Sequence, residues 1–365
     1  MAVINIEDFV KVTFTYDKDE SVTALDTGVV CLLLQDAKLT PGTYYITNTM
    51  QIPTELEDKN KTSIRLALLG RPKKVIAVVQ QGSADAVKIN VSTLSALEAL
   101  TFDLLAIPGI TEGDMTAVAD WAKAANQNAM HRFMIVLPNM VGDDQQIINY
   151  AHGSITIEGQ VFDTSAATPY IAARIAALVP AEGLTYQILP AVEACSPMTN
   201  EEVNAATAAG KLVLLWTGRD VRFASDANSF TSANSEAERS AQDIRVVSIM
   251  NLFYNSAKLA IMENYISKYS NNYQNKLMLA GALSALLLDF ENSALCEKGD
   301  TYAKLDLAKQ TAYLREISYK TADGRGVDDM STDEILRART GKKVWVKVRM
   351  LPLSAIGAVE IEVGS

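Results

Sequence analysis

The chain is poor in the side chains that do chemistry. It has 2 His and 3 Cys among 365 residues. Cys31, Cys195 and Cys296 lie far apart, with no CxxC pair and no neighbouring His. A zinc site needs thiolates or imidazoles at short spacing, so a structural zinc module is excluded. An odd number of scattered Cys fits buried, apolar thiols in a reducing compartment. The most tempting nucleophile lies in Thr164-Ser165-Ala166-Ala167-Thr168-Pro169, at the opening of an Ala-rich segment. Acyl chemistry there needs a His base beside Ser165 and an Asp to orient it, and only His131 and His152 are available. Phosphate-cradling loops are absent. Gly210-Lys211 is followed by Leu212, Ala205 stands at the first Gly position of a P-loop, and no GxGxxG opens a helix. Asp143-Asp144 and Asp328-Asp329 sit in polar loops, where acidic pairs are usually solvated. The expectation is no catalytic residue, no cofactor and no metal.

Composition narrows the class further. Lys+Arg 33 against Asp+Glu 43 leaves a formal charge of −10, with 48% hydrophobic and 21% charged residues. That balance buries a large core and rules out a disordered chain. It also argues against nucleic acid, which needs clustered cations; Arg71, Lys73 and Lys74 are too short a cluster. MAVINIEDFV lacks a signal-peptide pattern. No run reaches the roughly 18 apolar residues of a membrane span. The richest, Leu277 to Leu288, is broken by Gly281 and Ser284. A cytoplasmic protein without membrane insertion is expected.

The elements follow from periodicity. Strands are predicted at Val10–Tyr16, Gly28–Leu34, Thr43–Thr47, Lys74–Val79, Leu104–Ile107, Phe133–Leu137, Tyr186–Leu189 and Leu212–Trp216. Helices are predicted at Ser92–Ala99, at Thr111–Asn126 with Met115, Val118, Ala119 and Ala122 on one face, at Ala166–Leu178, and at Glu201–Ala209 opened by Thr199. Ser63–Leu69 is ambiguous. Such alternation argues a central, mainly parallel sheet with flanking helices. After about Ser225 the chain turns polar and reads as a loop, then gives helices at Asp243–Tyr265, Lys276–Phe290 and Leu305–Tyr319. Ser331-Thr332-Asp333-Glu334 caps a short helix, Glu334–Arg339. The fold class is therefore mixed α/β and α+β. It divides into an arm and first strand at 1–20, an α/β core at 21–235 and a C-terminal α+β domain at 236–365.

Both chain ends alternate. Val3, Ile4 and Ile6 open the chain, while Val344, Val346, Val348 and Val359, Ile361, Val363 fall in two strands split by Pro352 and Gly357. Strands of this kind need partners for their backbone groups. Two pairings are open: within one domain, or strand exchange with another subunit.

The stretch DIRVVSIMNLFYNSAKLAIMENYISKYSNNYQNKLMLAGALSALL is the most distinctive. It has an Arg-Val start at Arg245, Val246 and Val247, a long helix, a Tyr265–Lys268 step, the Asn271-Asn272 pair and a second apolar helix. In this it resembles the sheath proteins of contractile phage tails and of R-type bacteriocin particles. IRLALLGRPKKVIAVV, the Pro108-Gly109 step, FMIVLP and NEEVNAATAAGKLVLL extend the resemblance over most of the chain. The Ser165 segment fits too, because the middle domain of that family is subtilisin-like in fold and lacks the triad. Here Asp163 replaces the Gly of those proteases, and His152 lies too few residues before Ser165 for their order.

The resemblance implies a structural protein. Copies surround a tail tube as stacked hexameric rings, exchange strands through terminal arms, and contract on a signal from the baseplate. Implied partners are other copies of the chain, the tube protein, the baseplate and the tail terminator. Implied locations are the bacterial host cytoplasm during assembly, then the virion tail or a released particle. A type VI secretion-like sheath component and a subtilisin-like serine hydrolase using Ser165 are the alternatives.

Overall fold

A computed structural model of the chain describes residues 25, 27–84, 87–89, 91–128 and 131–357. The predicted strand Val10–Tyr16 and the exchange candidates Val3, Ile4, Ile6, Val359, Ile361 and Val363 lie outside them.

The run GVVCLLL becomes the centre of a seven-stranded sheet. β1 (Val29–Asp36) pairs in parallel with β3 (Lys74–Gln81) on one side and β4 (Leu104–Ala106) on the other. β5 (Met134–Pro138), β6 (Ile147–Tyr150) and β10 (Lys211–Leu212) continue it in parallel. β2 (Gly42–Ile46) closes the far edge antiparallel to β3. A continuous apolar run is needed because both faces are covered. Val30, Leu32 and Leu34 pack with α1 (Asp58–Leu69) and α4 (Thr164–Leu178). Cys31 and Leu33 pack with α2 (Val91–Leu97) and α3 (Glu112–Asn128), whose buried face is Met115, Val118, Ala119 and Ala122, as its spacing predicts. Gly70 ends α1 against α4. A Cβ there would stand 2.7 Å from Ala173 Cβ and from the Arg174 nitrogen, so only Gly permits this approach.

Several short elements differ from the periodic reading. Ser63–Leu69 belongs to α1. LVLLW is split at Val213, with β10 in the large sheet and β11 (Leu214–Trp216) in a hairpin with β12 (Val221–Phe223). The turn made by Thr217 and Asp220 returns the chain at once, so one apolar run serves two sheets. Tyr186–Leu189 is not a strand: Tyr186 has φ 67°, and only an isolated bridge joins Ile188 to Arg222. A small sheet of β7 (Ser154–Ile157), β8 (Gln160–Asp163) and β9 (Ala194–Cys195) was not foreseen. Its hairpin turns at Glu158-Gly159, both at positive φ, the conformation a two-residue turn demands.

α5 (Asn200–Ala208) carries the expected Thr199 cap as a full capping box with Glu202. The polar stretch after Ser225 holds a short helix, α6 (Glu236–Ser240). α7 (Ile244–Ala260) ends in a single π turn, Ile261–Tyr265, and α8 (Tyr273–Asn292) follows. Where a helix from Leu305 is expected, β13 (Tyr302–Leu305) precedes α9 (Leu307–Glu316), because Asp306 caps the helix there. α10 (Thr332–Arg337) has the expected Ser331–Glu334 capping box. β14 (Val346–Arg349) is shorter than the predicted Lys343–Met350.

α7 joins two cores. Ile244 and Val247 pack in the core of the large sheet, whereas Ile249 and Leu252 pack with Leu283, Leu286 and Phe290 of α8. A smaller cluster around Leu314, Val327 and Ile335 supports α9 and α10.

Candidate functional site

α7 is fastened to the large sheet by buried amides. Asn251 and Gln146 exchange two hydrogen bonds, of 2.8 and 2.9 Å. One turn on, Asn255 accepts from the Arg132 N–H at 2.7 Å and donates to the Arg132 carbonyl at 2.9 Å. The Arg132 guanidinium lies 4.0 Å from the Tyr254 ring centre, a cation–π contact. These polar pairs fix the register of α7 on the sheet, beside the apolar contacts of Ile244 and Val247.

Two of the distinctive residues of this region, Arg245 and Asn271, fix the chain that carries β14. Arg245 is buried; its guanidinium donates to the carbonyls of Pro180 at 3.0 Å, Ala294 at 3.3 Å and Leu353. Val246 and Val247 are buried beside it. Tyr265 lies in the π turn, its ring 5.6 Å from that of Tyr269, and Lys268 is exposed. The Asn271 amide donates to Thr340 Oγ1 at 3.0 Å and to the carbonyls of Gly341 at 2.9 Å and Lys343 at 3.1 Å, which sets the approach to β14. Asn272 caps α8 by accepting from the Asn275 N–H at 2.9 Å.

β14 pairs antiparallel with β13, and the described sheet stops there. The other edge of β13 is occupied. Ser284 of α8 donates its hydroxyl to the Ala303 carbonyl at 3.1 Å and accepts the Ala303 N–H at 3.3 Å. Opposed residues in an antiparallel ladder alternate between bonded and non-bonded pairs. Ala303 spends both backbone groups on Ser284, so its partner Val348 directs its own N–H and C=O away from β13. The same holds two residues back, at Val346. The bond from the Asp306 N–H to the Trp345 carbonyl, 2.9 Å, fits this alternation. The open edge of the sheet therefore belongs to β14.

That edge borders apolar hollows. One, of about 600 Å³, is lined by Phe253, Tyr265, Leu279, Val344, Val346 and Val348 among others; a second, of about 650 Å³, by Met250, Met262, Ile266, Val348 and Met350. Ile266 and Met262 stand exposed beside them. Among the residues singled out for strand exchange, Val344, Val346 and Val348 are thus brought to one groove. In the sequence Ser284 is only a break in an apolar run, and periodicity gives Asn251 and Asn255 no distinction. Polar residues inside an apolar helical pattern were the available signal.

The Ser165 reading finds no triad among the described residues. Ser165 is the second residue of α4, and its Oγ accepts the Gly109 N–H at 3.1 Å. The cap is Asp163, not a small residue, accepting from the Ala166 N–H at 2.8 Å. His131 bonds the Phe102 carbonyl at 2.8 Å, and His152 Nδ1 accepts the Leu214 N–H at 3.3 Å. Asp143 is spent on the N–H groups of Thr231 and Ser232, and Asp328 on Arg315. No group of three or more His, Cys, Asp and Glu comes together among the described residues. None of their helices is long and apolar enough to cross a membrane.

His152 gives the fold an acid-sensitive contribution, opposed by Asp103 and Asp226, whose carboxyls burial pushes up to about 6 and about 7. Burial pushes the His152 pKa down to about 4. The unfolded chain takes up this proton near pH 6.5 while the folded chain resists, so stability falls as pH drops through that window. At pH 5 the expected loss is about 2 kcal/mol relative to pH 8. Thermal melting of the wild type and His152→Gln across this range should show it as a difference between the two that changes by this amount from pH 8 to pH 5.

Comparison with known proteins agrees with this architecture. Residues 82–229 match the family model for the phage tail sheath protein central domain. The chain is 26% identical over 346 residues to the tail sheath protein of Clostridium phage phiCD119, spanning 92% of this chain and 93% of that one. The sheath tail protein of Listeria innocua superposes with a TM-score of 0.66 at 13% identity, covering 92% of this chain and 97% of that one. The contracted helical sheath of the anti-feeding prophage gives 0.68 at 14% identity, covering 97% and 98%. The contracted sheath of the extracellular contractile injection system PVC gives 0.66 at 12%, covering 97% and 96%. At these identities the superpositions speak to the fold: a mixed α/β chain around a mostly parallel sheet. The central-domain match and the likeness to a phage tail sheath protein over most of the chain support a structural role as a contractile sheath subunit.

Proposed function

We propose that this subunit polymerises as stacked hexameric rings around a tail tube and shortens to drive the tube through a target envelope, without catalysing a reaction. The observation that carries the reading is the edge of β14. Its backbone donors and acceptors are unclaimed among the described strands, and Val344, Val346 and Val348 line the groove beside it. Such an edge is a template for another strand, and backbone bonds supply the affinity while alternate side chains select the partner. The alternating segment AVEIEV, residues 358–363, has the required pattern. In this reading 1–20 is an arm, 21–235 the α/β core and 236–365 the domain that exchanges strands. Copies of this chain, the tube protein, the baseplate and the tail terminator are the partners. Assembly takes place in the host cytoplasm, and the product is a virion tail or a released particle.

With no nucleotide consumed, the work of contraction comes from the difference between two packings of the same subunits, a bistable arrangement. The extended form then persists kinetically. Strand-linked neighbours hold one another at high effective concentration, so subunits can rotate and slide without separating.

The test is deletion of residues 358–365. The truncated chain should fold with an unchanged far-UV circular dichroism spectrum and remain monomeric by electron microscopy and sedimentation, under salt conditions where the full chain forms tubes or rings. Normal polymers from the truncation would remove strand exchange through this segment. Monodisperse full-length monomers under all salt conditions would remove self-assembly by this chain.

A further inference from the structure

The segment after β14 is held in place almost entirely by polar contacts. Leu351 accepts from the Glu297 N–H at 2.9 Å, and the Leu353 N–H donates to the Leu295 carbonyl at 2.9 Å. The Leu353 carbonyl accepts from Arg245, and Ser354 hydrogen-bonds the Asp243 carboxylate. Ala355 lies over Gly183, where a Cβ would come within 2.5 Å of the Ala355 Cβ. Apolar burial adds little, since Leu351 is 39% exposed and Ile356 87%.

Arg245 is the centre of this arrangement. Its donors reach three separate stretches of chain: the Pro180 turn after α4, Ala294 after α8, and Leu353. Asp226 lies beside it and accepts the N–H groups of Leu184 and Arg245 itself. Asp243 stands at the N-terminus of α7 between them and Ser354. Burial raises the pKa of both carboxyls, and the nearby Arg245 charge opposes that rise. A planar fork with five donors bridges three carbonyls from one position, which a Lys ammonium cannot do.

We infer that Arg245 is the anchor of the C-terminal segment, keeping residues 351–355 on the subunit that made them. Leu351, Leu353 and Ser354 each have a hydrogen bond and Pro352 is bridged to Cys296, whereas Ile356 is nearly fully exposed. That the chain beyond residue 357 is passed to a second copy rests on the strand-exchange reading. The anchor itself does not.

Hydrogen–deuterium exchange of the purified monomer tests it, read at the Leu353 amide. Arg245→Lys keeps the charge and loses the fork. Gly183→Ala leaves Arg245 untouched and displaces Ala355, so it carries the test if the first variant fails to fold. Both should raise exchange at Leu353 at least tenfold, with protection in β1 and α8 unchanged. Unaltered protection at Leu353 in a folded Arg245→Lys, or in Gly183→Ala where Arg245→Lys does not fold, overturns the anchor, as does unprotected Leu353 in the wild type. A loosened segment together with normal assembly of the 358–365 truncation would leave the anchor standing and remove strand exchange. Protected Leu353 with an assembly-deficient truncation would do the reverse.

Discussion

Proline at position 348 should abolish assembly while leaving the subunit folded, whereas proline at 347 should unfold or strongly destabilise the C-terminal sheet. The two positions are adjacent, and the difference follows from the ladder. Val348 lies opposite Ala303, whose backbone groups are bound by Ser284, so the Val348 N–H points to the open edge and bonds nothing among the described residues. Proline is tolerated where the missing N–H faces outward from an edge strand. Lys347 lies opposite Lys304, one step along, where the alternation makes a bonded pair. There proline removes an internal ladder bond and leaves its acceptor unmatched, at a cost of about 1–3 kcal/mol. Melting temperature and electron microscopy of Val348→Pro and Lys347→Pro together check this. A Val348→Pro chain that polymerises like wild type would mean that no strand adds to β14.

The second large effect lies at the seam between the two cores. Asn251→Leu should cost on the order of 3 kcal/mol, and the double variant Asn251→Leu/Gln146→Leu should recover much of that loss. Both amides are buried, and each satisfies the other in both directions. Removing one leaves a buried donor and a buried acceptor of Gln146 unmatched, and that desolvation is not refunded elsewhere. Removing both exchanges a satisfied polar pair for apolar contact, which is close to neutral. Chemical denaturation of the two single variants and the double gives the coupling directly. Simple additivity of the single costs would show that the pair does not act as a unit.

The net charge of −10 bears on assembly as well. Described ion pairs such as Arg315–Asp328 and Arg349–Asp300 lie at the surface, where a pair contributes little to folding. Packing many acidic subunits side by side requires opposite charges to meet across interfaces, so salt should act on polymerisation more than on the fold.

Much of this protein was legible without coordinates, and the reason is locality. The runs GVVCLLL, KVIAVV and FMIVL are strands covered on both faces, and any sequence able to fill two apolar layers must look like them. Thr199 and Ser331 announced their helices because a cap and its partner lie three residues apart. The resemblance carried by Arg245 to Asn272 pointed to a sheath protein because those residues recur at fixed spacing along one chain. What stayed hidden depends on residues remote in sequence. LVLLW divides between two sheets because a turn at Thr217–Asp220 reverses the chain, and periodicity cannot register that. Val346 and Val348 were marked as strand residues, but their backbone direction is decided by Ser284, some sixty residues upstream and on another element. Arg245 looked like one member of a motif. Its work became visible only when Pro180, Ala294 and Leu353 converged on it, because a buried guanidinium is defined by the carbonyls it satisfies and those are set by the tertiary fold.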